Sequence, residues 1–267
     1  MTARYVWDDL PRAVRRGVES VVGTVVGAES PDTSCHTSPF VAAPATAEGG
    51  RAFAKGAPIG DTDAAEGLRR EAVVSPIVGR FAATLLGEIA VDGWRVLVFE
   101  YVDGAHLDLS PGSDELGVLA ETLEDVQTID PPFGVELPTL AERWEKYLTG
   151  DERSLLVGDA LLHTDLVPEN LLIRYAGYGR RLYLLDWGRA AIGPAWAEYA
   201  GLYDRLLVRG HTPESARAWL NRFPVWRHAG RAALCAFVAA RQRQEIDLMG
   251  DKAAAPGVAR WATLLDE

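Results

Sequence analysis

Two short apolar runs that end in polar clusters constrain this chain more than any other feature. Ala160-Leu161-Leu162 leads into His163-Thr164-Asp165-Leu166-Val167-Pro168-Glu169-Asn170, and Leu171-Leu172-Ile173 follows at once. Leu182-Tyr183-Leu184-Leu185 then stops at Asp186-Trp187-Gly188. Apolar runs this short, bounded by polar residues, predict buried strands. Strand ends are rigid mounts for groups that hold a metal or meet a substrate. A lone Asp or Asn serves a plain turn by bonding nearby backbone. Here a histidine, a carboxylate and an amide share one loop, and a second acidic strand end follows one short hairpin later. That order favours a functional site over two turns.

A chain of 267 residues, 48% of them hydrophobic, can bury a large core as one two-lobed enzyme or two small domains. No apolar stretch reaches the length of a bilayer span. The opening Met1-Thr2-Ala3-Arg4-Tyr5-Val6-Trp7-Asp8-Asp9 has no apolar signal core, which implies a cytoplasmic protein with no membrane partner. Cys35 and Cys235 form neither a metal-ligand spacing nor a disulfide framework. The net charge of −11 argues against nucleic acid as a partner. Most of that excess falls after residue 100. It suits long-range steering of a cationic substrate, and it equally suits an acidic surface that only keeps the protein soluble.

Apolar residues at helical spacing predict a leading helix from Asp9 to about Val22. Strands are expected at Thr24–Val26, Phe40–Ala43, Arg51–Lys55, Ala83–Ala90 and Trp94–Phe99, the last two joined by the turn dipeptide Asp92-Gly93. Alternation in Arg51–Lys55 puts Phe53 and Lys55 on one face. Asp61-Thr62-Asp63 starts a helix that contains Glu71. Beyond Gly104 the pattern turns helical. Helices are expected through Leu116–Val126, from Thr139 to Leu148, over about 195–208, 213–222 and 228–249, and at the end over 257–265.

His163-x-Asp165-x-x-x-x-Asn170 followed by Asp186-x-Gly188 resembles the catalytic loop and metal site of the protein-kinase-like superfamily. Asp186-Trp187-Gly188, with Gly193-Pro194 and the acidic Glu198 after it, resembles the aminoglycoside phosphotransferase branch, where an Asp is usual at the last position. The resemblance implies a mixed α/β (α+β), bilobal, protein-kinase-like fold. Residues 1–100 form a small antiparallel-sheet N-lobe with a leading helix, five strands and one helix. Residues 101–267 form the hinge and a mainly helical C-lobe with the catalytic loop.

It also implies a role for each matched residue. Asp165 accepts or orients the proton of the acceptor hydroxyl, and Asn170 and Asp186 hold Mg²⁺. Lys55 contacts the α- and β-phosphates of ATP or GTP and is oriented by Glu71, with Glu66 the competing choice. Glu100 and Val102 offer backbone C=O and N–H to a purine edge, and Phe99 backs the base. Glu29 to Pro39 holds the place of the phosphate-covering loop. It has no glycine, and Ser34, Thr37 and Ser38 are its available hydroxyl donors. His163 braces the loop from beneath. Arg189 is read as a surface salt bridge or a phosphate contact. Glu198, Tyr199, Tyr203, Asp204, Trp219 and Trp226 are read as core packing or as an acidic, aromatic-lined substrate pocket.

The expected activity is transfer of a γ-phosphoryl group to a hydroxyl of a small molecule, cationic or nucleoside-like, with an antibiotic as acceptor and resistance as outcome. A protein kinase is the first rival. The few residues between Asp186 and Gly193-Pro194 leave no room for a long activation segment. A non-catalytic nucleotide-binding scaffold is the second, motivated by the glycine-free loop.

Overall fold

Alternation along two central strands decides where the charged residues go. The structure, a computed structural model, describes residues 4–31, 38–131, 134–177 and 179–266. Ser34 and Thr37 of the expected phosphate loop lie outside these residues. In chain order the strands are β1 (Val25–Glu29), β2 (Phe40–Thr46), β3 (Ala52–Pro58), β4 (Leu85–Val91), β5 (Trp94–Glu100), β6 (Ala105–His106), β7 (Ala160–Leu162), β8 (Leu171–Ala176), β9 (Gly179–Leu184) and β10 (Ala191–Gly193). The helices are α1 (Arg12–Val22), α2 (Thr62–Val78), α3 (Glu115–Val126), α4 (Leu140–Arg143), α5 (Gly150–Leu155), α6 (Trp196–Val208), α7 (Pro213–Leu220), α8 (Pro224–Arg227), α9 (Arg231–Met249) and α10 (Asp251–Ala262). They pack as two compact units. One comprises residues 1–107 with 169–189, the other 108–168 with 190–267.

The first unit is built on a five-stranded antiparallel sheet in the order β1-β2-β3-β5-β4. Every second residue of β3 and β5 faces one side. Ala52, Ala54, Val96 and Val98 pack with Leu10, Val14 and Val18 at α1. Leu97 and Phe99 face the other way and pack with Leu68 of α2. Phe53 joins that second cluster, so Lys55 is carried to the α2 side, as its alternation predicts. Asp61 caps α2 by accepting from Ala64 N–H at 3.3 Å. A smaller antiparallel sheet, β6-β8-β9, belongs to the same unit. Its register pairs Leu171 with Leu184.

The second unit is mainly helical. Phe237 of α9 sits among indoles, with ring centroids 5.0 Å from Trp144, 5.8 Å from Trp196 and 5.9 Å from Trp261. The expected helix from Thr139 to Leu148 is broken. It becomes α4, capped reciprocally by Thr139 and Glu142, and then a 3-10 turn at Glu145–Tyr147. Lys146 and Tyr147 both bond the Asp247 carboxylate of α9, at 2.6 and 2.8 Å, which fixes the turn out of helical register. The short strands β6 and β10 and the helix α5 were not expected. The last helix begins at Asp251, earlier than its apolar pattern suggested.

Antiparallel pairing of β7 with β10 sets Leu162 opposite Ala191 and Ala160 opposite Gly193. This places Pro194 against Gly158, where a Cβ on Gly158 would stand 2.3 Å from the Pro194 Cα. Backbone on backbone cannot yield as a side chain does. Gly158→Ala is therefore expected to destabilise the fold by about 1–3 kcal/mol. A urea midpoint unchanged from wild type would show that the two segments separate freely.

Candidate active site

The first unit gathers three charged side chains from distant parts of the chain. Lys55 on β3 forms ion pairs with Glu71 of α2 and with Asp186 Oδ1, the latter at 2.8 Å. Their side chains are 5%, 4% and 11% exposed, so the ammonium is held almost entirely between two carboxylates. Burial, and the Asp186 charge beside it, push the Glu71 carboxyl up to about 7 against the pull of Lys55. Glu71 also accepts from the Trp187 backbone N–H. Glu66 points elsewhere and pairs with Arg69 at 2.8 Å on the exposed face of the helix.

Helix α2 lies directly on the 3-10 turn Trp187–Arg189. Arg70 Nε donates to the Gly188 carbonyl at 2.9 Å. A Cβ on Gly188 would come within 3.3 Å of both the Gly67 carbonyl and Asp186 Oδ1, so a larger residue would crowd helix and carboxylate together. Trp187 is fully buried, and its indole N–H donates to the Leu184 carbonyl at 2.9 Å, which pins the turn at the end of β9. Asp186 itself has φ +64°, the left-handed region that Asp tolerates better than most residues.

Asn170 arrives by strand register. Leu185 N–H donates to the Asn170 carbonyl at 2.8 Å, so the β8–β9 hairpin brings Asn170 and Asp186 to the same end. Two oxygen-bearing side chains suit a hard divalent cation whose remaining positions are filled by phosphates and water. Among the described residues no cluster of three or more His, Cys, Asp or Glu offers a metal an all-protein cage.

Phe99 and Val102 belong to the apolar cluster that also includes Ala83, Leu97 and Leu185. Lys55 Nζ stands 6.0 Å from the Phe99 ring centroid. Glu100 closes β5, with its N–H on the Thr84 carbonyl and its side chain on the Thr84 N–H. Ser38 is buried at the entry to β2, ahead of the strand rather than in the lysine cluster. Arg189 is exposed.

Asp165 belongs to the second unit, where it is half-buried beside a pocket lined by Thr164, Glu198, Arg205, Phe237 and Arg241. The loop that carries it is strained. Thr164 is β-branched yet has φ +66°, a conformation that costs on the order of 1–3 kcal/mol. Glu198, in the first turn of α6, holds it there. One carboxylate oxygen accepts from the His163 N–H and the other from the Thr164 N–H at 3.0 Å. Arg143 donates to Thr164 Oγ1 at 3.0 Å. His163 is buried and its Nδ1 accepts the Asp165 N–H at 3.2 Å, which fits the bracing role expected for it.

Sequence reasoning offered Glu198 only as core or as part of a substrate pocket, whereas it ties down the loop backbone. Most of its proposed companions are core. Tyr199, Tyr203, Asp204 and Trp226 are buried, with Asp204 held by Arg260 at 2.6 Å. Trp219 stacks edge-on against Phe223.

This fold is protein-kinase-like. It is shared by the choline kinase LicA from Streptococcus pneumoniae, at 14% identity and a TM-score of 0.60 over 94% of this chain and 98% of that one. The aminoglycoside phosphotransferase APH(3'')-Id from Streptomyces rimosus, solved with ADP and streptomycin, matches at 14% identity and 0.57 over 85% and 96%. A microcompartment-associated aminopropanol kinase matches at 13% identity and 0.54 over 95% of both chains. No curated protein matches the sequence. Within this fold class, residues 134–237 match the model of the phosphotransferase enzyme family APH. The resemblance read from the central motifs is thereby borne out, and the family match supports the expected class of kinase-type O-phosphotransferase.

Two stability measurements follow from the buried charges. Lys55→Met takes the ammonium away from two buried carboxylates and is expected to cost roughly 3–5 kcal/mol. Adding Glu71→Leu should restore much of that loss, and a purely additive double variant in urea unfolding would argue against coupling. Burial also raises the Glu198 carboxyl to about 7 from 4.5. The folded state then keeps a proton that the unfolded chain releases, so Glu198 makes stability fall as pH rises across that window. Glu198→Gln should lower stability overall and flatten this slope; an unaltered slope in urea titrations at several pH values would remove Glu198 as its source.

Proposed function

We propose that this chain transfers the γ-phosphoryl group of ATP or GTP to a hydroxyl of a small molecule, with an antibiotic as the acceptor class. The observation that carries this reading is the buried Lys55 held between Glu71 and Asp186, at the hairpin end that also bears Asn170. Phosphoryl transfer asks a protein mainly for positioning and charge neutralisation. Lys55 supplies a fixed cation for the α- and β-phosphates, and Glu71 sets its direction. Asn170 and Asp186 would hold Mg²⁺, one neutral and one anionic ligand that would limit crowding of like charge beside the phosphates. When bound, the ion neutralises charge that develops on the transferring group.

The C=O of Glu100 and the N–H of Val102 read the purine edge, and Phe99 closes the base side of the lysine cluster. Asp165 takes or orients the acceptor's proton. Its loop is fixed by Glu198, so the carboxylate is positioned before the acceptor arrives. The family match over 134–237 supports the enzyme class and leaves the acceptor to experiment.

The test is turnover of ATP and of GTP with Mg²⁺ against a panel of hydroxyl-bearing antibiotics and small amino alcohols, with phosphorylated product identified by mass. Asp165→Ala is expected to lower kcat by about 100- to 10,000-fold while nucleotide still binds. Transfer at the wild-type rate by that variant would remove Asp165 from the chemistry.

A further inference from the structure

Two arginines beside Asp165 find no place in the mechanism above. Arg205 of α6 and Arg241 of α9 both line the Asp165 pocket. Arg241 is packed among rings, with its guanidinium carbon 5.1 Å from the Trp261 centroid and 6.0 Å from that of Trp144. Its Nη1 donates to Gln244 at 2.8 Å. Its Nε is buried and has no hydrogen-bond partner among the described residues. A buried donor without an acceptor is costly, and a guanidinium more so than a neutral group.

Arg205 is only loosely occupied. Its carboxylate neighbour Asp204 lies 3.5 Å away and is engaged at 2.6 Å by Arg260. Glu245, Asp204 and Asp165 offset part of the charge on Arg241, but none of them accepts from its Nε. Both oxygens of Glu198 are taken up by the His163 and Thr164 N–H groups, and burial favours its neutral form. Burial and the neighbouring Arg205 lower Arg241 only to about 10, so it stays charged at neutral pH.

We propose that the hydroxyl acceptor carries an oxyanion, a carboxylate or a phosphate, that docks on Arg241 and Arg205 beside Asp165. The inference rests on the phosphotransferase reading and narrows its acceptor. It also opposes the cationic acceptor suggested by the chain's overall acidity, because an ammonium group here would meet two guanidiniums. Arginine suits the task, since its planar fork matches carboxylate and phosphate oxygens.

Ligand-observed NMR on the full chain tests this with matched hydroxyl compounds. Glycerate is set against glyceramide, glycerol 3-phosphate against glycerol, and carboxylate-bearing hydroxyl antibiotics against their primary amides. The charged member of at least one pair is expected to bind about tenfold or more tightly, and the two kinds of pair separate carboxylate from phosphate. Arg241→Gln and, independently, Arg205→Gln should erase that preference, whereas Arg241→Lys should keep part of it. Melting curves establish that each variant is folded, and Arg205→Gln serves if Arg241→Gln is not.

Equal binding within every pair, no binding of any charged member, or a preference that survives in Arg205→Gln and in every folded Arg241→Gln preparation would overturn the proposal. Phosphoryl transfer to the same compounds is assayed in parallel. Anion-selective binding without transfer to any acceptor would sink the phosphotransferase reading instead, and transfer without anion preference would sink only this inference.

Discussion

The first unit depends on a single ammonium shared by two buried carboxylates. Two acids placed side by side in a dry site would repel each other and protonate. Lys55 sits between them and offsets that repulsion, and Glu71 still shows a raised proton affinity from its burial. Each partner comes from a different element: β3, α2 and the turn after β9. The ion pairs therefore fix the register of the helix on the turn as well as the charge of the site. The Trp187 N–H on Glu71, the Arg70 side chain on the Gly188 carbonyl and the close approach of Gly67 to Gly188 are consequences of the same docking. A shorter carboxylate at position 71 or a side chain at position 188 would disturb all of them together.

The second unit solves a similar problem with backbone strain. Thr164 sits in a left-handed conformation that a β-branched residue resists. Helix α6 begins just after Gly193-Pro194, and Glu198 in its first turn accepts both N–H groups that the strained loop exposes. An aspartate at this position would be one methylene shorter. Glutamate supplies the reach in this chain. The pairing of β7 with β10 sets the distance between loop and helix, so the two residues that look unrelated in sequence, Thr164 and Glu198, are coupled through one short ladder.

Much of this was legible because it is periodic or local. Period-two alternation in Arg51–Lys55 put Phe53 and Lys55 on one face, and the resemblance of Arg69-Arg70-Glu71-Ala72 to the family pattern favoured Glu71 over Glu66. Features with too few residues to show a period were missed, as with β6, β10 and α5. The break after Arg143 was hidden because Lys146 and Tyr147 are held by Asp247, a hundred residues further on. Glu198 and Arg241 escaped for the same reason. In sequence Glu198 reads as core or as a pocket acid, and an arginine at helical spacing gives no sign of its neighbours. Only packing shows that one binds loop backbone and the other lies among tryptophans.

The contrast between the acidic chain and the two arginines of its pocket turns on distance and dielectric. Exposed charges more than about 8–10 Å away are largely screened at physiological ionic strength. The net −11 therefore acts on approach, and weakly. Inside the pocket the same Coulomb attraction is several times stronger, because protein replaces water around the pair. The Arg241 guanidinium lies beside the Trp144 and Trp261 rings, and its Nε is shut off from solvent. Recognition in the pocket is thus set by the arginines and not by the surface. The surface acidity instead slows an anionic acceptor's encounter, a penalty that added salt relieves, whereas binding once inside is far less sensitive to it.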